Sequence, residues 1–198
     1  MIKAHEYNRI KYLTFDLVNA YHSVNDRDTL AAVYAQVASE IANYGDFPDL
    51  LAQLDNPKLT TEQAEKLMTT LKSEVKAFSM PSNLTKVFKK VKKLKMPEVT
   101  DLTGLSYLGW NEIASGRKYL LTADGQGLYG NITGQTKNIC AICQKTSIVT
   151  QFMATTKSSA DGTYTRNGNW ICLDSAFCNQ QMQQLDGLND FIATIQPR

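Results

Sequence analysis

Long hydrophobic runs are missing from this 198-residue sequence. No apolar stretch approaches the roughly 18 residues that a membrane-spanning helix requires, which points to a soluble protein. Met1 to Arg9 is polar and lacks the apolar segment of a signal peptide, so the cytoplasm is the expected compartment. Histidine is scarce: His5 and His22 are the only two, and with no second ligand patterned beside them both read as ordinary surface or packing residues. A phosphate-binding loop is not expected either. No GK[ST] occurs, and although Gly125, Gly127 and Gly130 fit GxGxxG, Leu128 and Tyr129 suit a β-turn better than the opening of a nucleotide-binding helix. No nucleophile or acid–base constellation stands out, so an enzyme is not expected.

Cysteine is also sparse, but its four copies are patterned. Cys140-x2-Cys143 is followed by Cys172-x5-Cys178, and a CxxC with a second close pair is the spacing of a tetrahedral structural Zn2+ site. Two disulfides would require an oxidising compartment. A redox CxxC would leave Cys172 and Cys178 without a role. Four thiolates close the coordination shell, leaving no open position for an activated water, so the metal is expected to hold the fold. The 28 residues between Cys143 and Cys172 read as an excursion of two strands, Ser147 to Met153 and Gly168 to Leu173, with turns at Asp161-Gly162 and Asn167-Gly168. Asp174 or Ser175 can cap a helix carrying Cys178. Knuckle, hairpin and helix together make a treble-clef zinc finger.

The first part of the chain reads as helical. Ile10, Leu13, Leu17 and Tyr21 recur at helical spacing, as do Leu30, Val33, Val37, Ile41 and Tyr44, with Asn25 or Asp26 as cap and Gly45 as stop. Asp49 to Leu54 suits a short helix. Thr60-Thr61-Glu62-Gln63 signals a start, and Ala64, Leu67, Leu71, Val75 and Phe78 predict one long helix. Pro81-Ser82-Asn83 marks a boundary. The expected fold is thus α + α/β: an antiparallel helical bundle over 1–82, then an α/β domain over 83–198 that contains the finger. Residues 1–82 hold 8 Lys/Arg against 11 Asp/Glu, a net of −3, whereas 83–198 hold 13 against 8, a net of +5. Lys86 to Lys95 predicts a basic amphipathic helix with Val87, Phe88, Val91 and Leu94 on one face. Tyr107 to Asn111 and Tyr119 to Leu121 read as short strands, with turns at Gly125, Gly127, Gly130 and Gly134.

The run Ser106-Tyr107-Leu108-Gly109-Trp110-Asn111, with Ile139-Cys140-Ala141-Ile142-Cys143, Trp170-Ile171-Cys172-Leu173-Asp174-Ser175 and Cys178-Asn179, resembles the elongation factor G-binding proteins of the FusB/FusC type, the fusidic acid resistance proteins and their relatives. The resemblance is specific from about Lys86 to Asn179. It implies a protein that binds the C-terminal domains of the translocase EF-G, chiefly through the zinc finger, and promotes its release from ribosomes stalled by fusidic acid. The ribosome would then be an indirect partner and the protein a monomer. Positions that fit the family's contact residues are Tyr164, Arg166, Trp170 and Phe191, with Lys145 and Lys157 as supporting charges. The pair Ala141-Ile142 departs from the resistance-type pattern, in which an aromatic is expected between the first two cysteines.

Structural roles are open to the same residues. Trp170 could cover the thiolates, Phe191 could pack the last helix, and Arg166 and Lys145 could neutralise the surplus −2 charge of a Zn(Cys)4 centre. The alternative function is an RNA- or ribosome-binding zinc-finger protein independent of EF-G, for which the lysines at 89, 90, 92 and 93 would be the contact.

Overall fold

The computed structural model describes residues 1–88, 91, 94, 95, 97, 101–158 and 164–196. The chain divides into two compact units, Met1–Lys76 and Ala77–Arg198.

The first unit is helical: α1 (Ala4–Ser23), α2 (Arg27–Ala42), α3 (Pro48–Leu54) and α4 (Thr61–Lys72). Local chemistry starts each helix. The Asp26 carboxylate accepts from Thr29 N at 2.8 Å at the head of α2, and Thr60 and Gln63 form a reciprocal capping box on α4. The buried face of α1, with Tyr7, Ile10, Leu13, Leu17 and Val18, meets Val37 and Ile41 of α2, Leu50 and Leu54 of α3, and Ala64, Met68 and Leu71 of α4. Tyrosine hydroxyls reach carbonyls of α3. Tyr21 donates at 2.7 Å to Leu54 O at the helix end, and Tyr34 donates at 3.1 Å to Leu51 O, which also accepts from Asp55 N. Arg9 adds a two-point ion pair to Glu40 from α1 to α2, 2.6 Å from Nε to Oε1.

The long helix expected through Phe78 stops at Lys72. Thr69 and Thr70 hydroxyls donate back to the carbonyls of Glu65 and Lys66, and Ser73 Oγ donates to Thr70 O, offering the backbone alternatives to a further turn. The chain then extends, and Val75 bridges Ile2 in parallel, with Ile2 N donating to Glu74 O and Lys76 N to Ile2 O. Phe78 belongs to the second unit, where its N–H donates to Leu102 O at 2.9 Å.

The second unit is built on a five-stranded antiparallel sheet in sequential order: β1 (Tyr107–Glu112), β2 (Arg117–Thr122), β3 (Gly127–Ile139), β4 (Thr146–Ser158) and β5 (Tyr164–Cys172). Helix α5 (Leu84–Val87) precedes it, and α6 (Ser175–Gln181) and α7 (Asp186–Ile195) follow. The basic amphipathic helix is shorter than expected, ending at Val87 with Phe88 as its C-cap, and the Phe88 ring is buried against Trp110 and Tyr119 at ring distances of 5.6 Å. Lys89, Lys90, Lys92 and Lys93 lie outside the described residues, as does the expected turn at Asp161-Gly162.

Two glycine expectations are corrected. Gly127 and Gly130 lie inside β3, whereas Gly125 and Gly134 do adopt positive φ, at 84° and 65°. Asn167-Gly168 is mid-strand, and a Cβ at 168 would collide with the Phe152 carbonyl of β4. Glycine serves there for close approach of two strands, a use that sequence alone does not separate from a turn.

Candidate metal centre and adjoining surface

The four cysteines come from three places. Cys140 and Cys143 form a knuckle after β3, Cys172 ends β5, and Cys178 lies in α6. The knuckle closes because Cys140 N donates to Lys145 O at 3.0 Å and Gln144 N to Cys140 O at 2.9 Å, while Gln144 takes a left-handed φ of 57°. Asp174 caps α6 by accepting from Ala176 N and Phe177 N, which fixes the turn between Cys172 and Cys178.

All four Sγ atoms are buried and lie within 4.8 Å of one another. Cys140 and Cys178 are 3.8 Å apart at sulfur, and Cys143 and Cys172 3.7 Å. Disulfide sulfurs sit at about 2.05 Å, so these are free thiols. A tetrahedron with metal–sulfur bonds of about 2.3 Å has edges of about 3.8 Å, the separation of these two pairs. Ile142 N and Cys172 N donate to Cys140 Sγ at 3.3 and 3.2 Å, orienting it as a thiolate acceptor. The Cys140 thiol is held far below its ordinary range by hydrogen bonds from Cys143, Cys172 and Cys178, while Cys143 and Cys178 are pushed up, foremost by their bonds to Cys140. Four thiols in one cage cannot all ionise without a cation among them.

Buried polar atoms around the cage support the same conclusion. The Tyr107 hydroxyl has no oxygen or nitrogen partner, and its phenol is pushed up by burial and then by the charge of Cys178. Were a metal to hold Cys178 as a thiolate, that sulfur would be an acceptor for this hydroxyl. Asn179, also buried, binds β1 to α6: its Oδ1 accepts from Ser106 N at 2.7 Å and Tyr107 N at 3.3 Å, and its Nδ2 donates to Tyr107 O and Ser175 O at 2.9 Å each. Lys118 on β2 is fully buried, and its ammonium donates to Asn111 Oδ1 at 3.0 Å and Leu173 O at 2.9 Å. Burial pulls its pKa down to about 8, opposed by the charges of Cys178, Asp174, Cys172 and Cys140. The sequence reading assigned no role to Tyr107, Lys118 or Asn179. Only their surroundings, contributed by distant segments, reveal one.

Three of the expected contact residues share one strand face. Tyr164, Arg166 and Trp170 sit at even positions of β5, and side chains two apart along a strand point the same way. Tyr164 is 60% exposed, and the Arg166 guanidinium lies 4.8 Å from its ring centroid. Trp170 is half-buried against the core around the metal cage, and its carbonyl accepts from Ala141 N at 2.8 Å. Lys145 is exposed in the knuckle, and Lys157 stands opposite Thr165 in the β4–β5 register. Phe191 is a correction: it is 3% exposed and packs edge-on against Phe152 at 5.5 Å, so its ring belongs to the core. Three apolar side chains that the sequence reading passed over are exposed near the cysteines in sequence: Ile139 at 62%, Ile148 at 52% and Phe177 at 47%. Ile139 pairs with Thr146, and Ile148 with Lys137, which makes the two isoleucines diagonal neighbours on one sheet face.

Fold and site together define a class: a helical unit joined to an antiparallel sheet unit that carries a buried four-cysteine cluster able to hold a metal ion. Residues 1–79 match the sequence family described as elongation factor G-binding protein, N-terminal. Along nearly its whole length the chain is similar to the solved structure of the fusidic acid resistance protein FusC, at 34% identity and a TM-score of 0.92, with 99% of this chain and 98% of that one covered. No curated protein sequence matches it. The chain belongs to the FusB/FusC-type family of elongation factor G-binding proteins.

Proposed function

We propose that this protein binds the translocase EF-G through a treble-clef zinc finger and promotes its release from the ribosome, protecting translation from fusidic acid. The observation that carries the reading is the near-full-length likeness to FusC in a chain whose four thiols lie within 4.8 Å of one another, with two pairs at the edge length of a zinc tetrahedron. Zinc, when bound, supplies four rigid bonds and no open coordination position. The chain's own residues would do the rest. Tyr164, Arg166 and Trp170 offer an aromatic–cationic anchor of the kind that dominates protein interfaces, and the C-terminal excess of positive charge suits an acidic partner. The protein would act as a monomer in the cytoplasm, without chemistry of its own on the drug; among the described residues no helix is long and apolar enough to cross a membrane.

A ribosome-release assay tests this reading. With EF-G held on ribosomes by fusidic acid, adding the protein should move EF-G from the ribosomal pellet to the supernatant in a dose-dependent way. EF-G that stays in the pellet at saturating protein would contradict the proposal.

A further inference from the structure

Lys118 is a buried cation without a conventional counter-ion. It is 0% exposed, and its ammonium donates to two neutral acceptors, Asn111 Oδ1 and Leu173 O. Lys118 takes no part in the ion pairs Lys3–Glu6, Arg9–Glu40 and Lys66–Glu62. Desolvating an ammonium in this way is costly unless charge of opposite sign stands close by. Its placement says where that charge is. Lys118 pairs with Asn111 across β1 and β2, and both side chains donate to the same carbonyl, that of Leu173, the residue after Cys172. The groups acting on the ammonium are Cys178, Asp174, Cys172 and Cys140. Asp174, which caps α6, keeps its carboxylate charge and supplies part of the balance. The other three are members of the metal cage, and four thiolates around a divalent ion carry a net charge of −2.

We propose that Lys118 is the counter-cation of the metal centre, a positioning residue whose buried charge offsets the surplus negative charge of the four-thiolate site and so retains the metal. The two cations expected in that role from sequence, Arg166 and Lys145, are exposed, where water and salt screen them. Lys118 acts from inside the low-dielectric core, where the same charge counts for more. By holding Leu173 O it also tethers the strand end that delivers Cys172.

This inference rests on the zinc reading, and the two can be tested apart. Elemental analysis of the full-length wild-type protein should find one zinc per chain, and its absence would remove the zinc reading itself. Zinc competition against a chromophoric chelator then compares wild type with Lys118→Met, which keeps the stem and removes the charge, and Lys118→Gln, which keeps a donor for Leu173 O. Loss of an outer-shell partner lowers metal affinity by roughly 10- to 100-fold, and that loss is expected in both variants, with unchanged far-ultraviolet circular dichroism at saturating zinc. Wild-type affinity in Lys118→Met would overturn the proposal. Full rescue in Lys118→Gln would overturn it too, by reducing the contribution to hydrogen bonding.

Discussion

Asn179 shows how much a single polar side chain carries in the second unit. Its amide makes four hydrogen bonds to backbone groups of Ser106, Tyr107 and Ser175, all taken from solvent. Deleting it leaves buried donors and acceptors unpaired, each at about 1–3 kcal/mol. Asn179→Ala is therefore expected to destabilise the second unit by about 3 kcal/mol, read by chemical denaturation, with a neutral result contradicting the role. Arg166 and Trp170 sit at the other extreme, on the strand face that the proposed function uses for partner contact. Arg166→Ala with Trp170→Ala should leave the denaturation midpoint within about 0.5 kcal/mol per exposed position for Arg166, with a larger share from half-buried Trp170, and abolish partner binding. At this scale the sequence was legible where a residue's chemistry is complete in itself. The cysteine spacing predicts a four-thiol cluster able to hold a metal ion, and the four Sγ atoms do come together. Lys118 was not legible. A lysine in Arg117-Lys118-Tyr119 looks like any surface lysine until β1 and the segment after Cys172 close over it. For Phe191 the sequence left contact and packing both open, and the ring of Phe152 meeting it decides for packing.

Among the elements, helix starts were the most readable features. Asp26, Thr60 and Asp174 each cap the helix that follows, because a cap satisfies donors two or three residues away and needs no tertiary partner. Helix ends were less readable. Apolar spacing continues through Val75 and Phe78, yet the backbone leaves helix at Ser73, and those two side chains serve two different cores. Thr60→Ala removes the capping box and should cost about 1 kcal/mol in the first unit, measured as a shift in its unfolding midpoint. Gly168 makes a stronger demand. A methyl group there collides with the Phe152 backbone, so Gly168→Ala must push β5 away from β4. It should destabilise the hairpin far more than Gly125→Ala, where nothing lies within 4 Å of the added carbon and only the positive φ opposes it. Equal effects in hydrogen exchange across β4 and β5 would contradict the close-approach account.

For the whole molecule, the division at Lys76 and Ala77 separates a helical core with no metal-binding cluster among its described residues from a sheet core organised round the cysteines. Metal binding contributes on the order of 10 kcal/mol to a structural finger, comparable to the whole net stability of a typical domain. Chelation, or Cys172→Ser, is therefore expected to unfold the second unit and leave the first unit's helical signal intact. Calorimetry should resolve two transitions, of which one disappears on chelation; a single transition unaffected by chelator would contradict both the metal dependence and the independence of the two units. The account as a whole turns on one partner. Isothermal titration of the zinc-replete protein into EF-G, free of ribosomes and nucleic acid, measures it directly. The account predicts a one-to-one complex that is lost when Arg166 and Trp170 are both replaced by alanine. No heat with EF-G, together with RNA binding that weakens steeply with salt, would contradict it and leave an RNA-binding finger in its place.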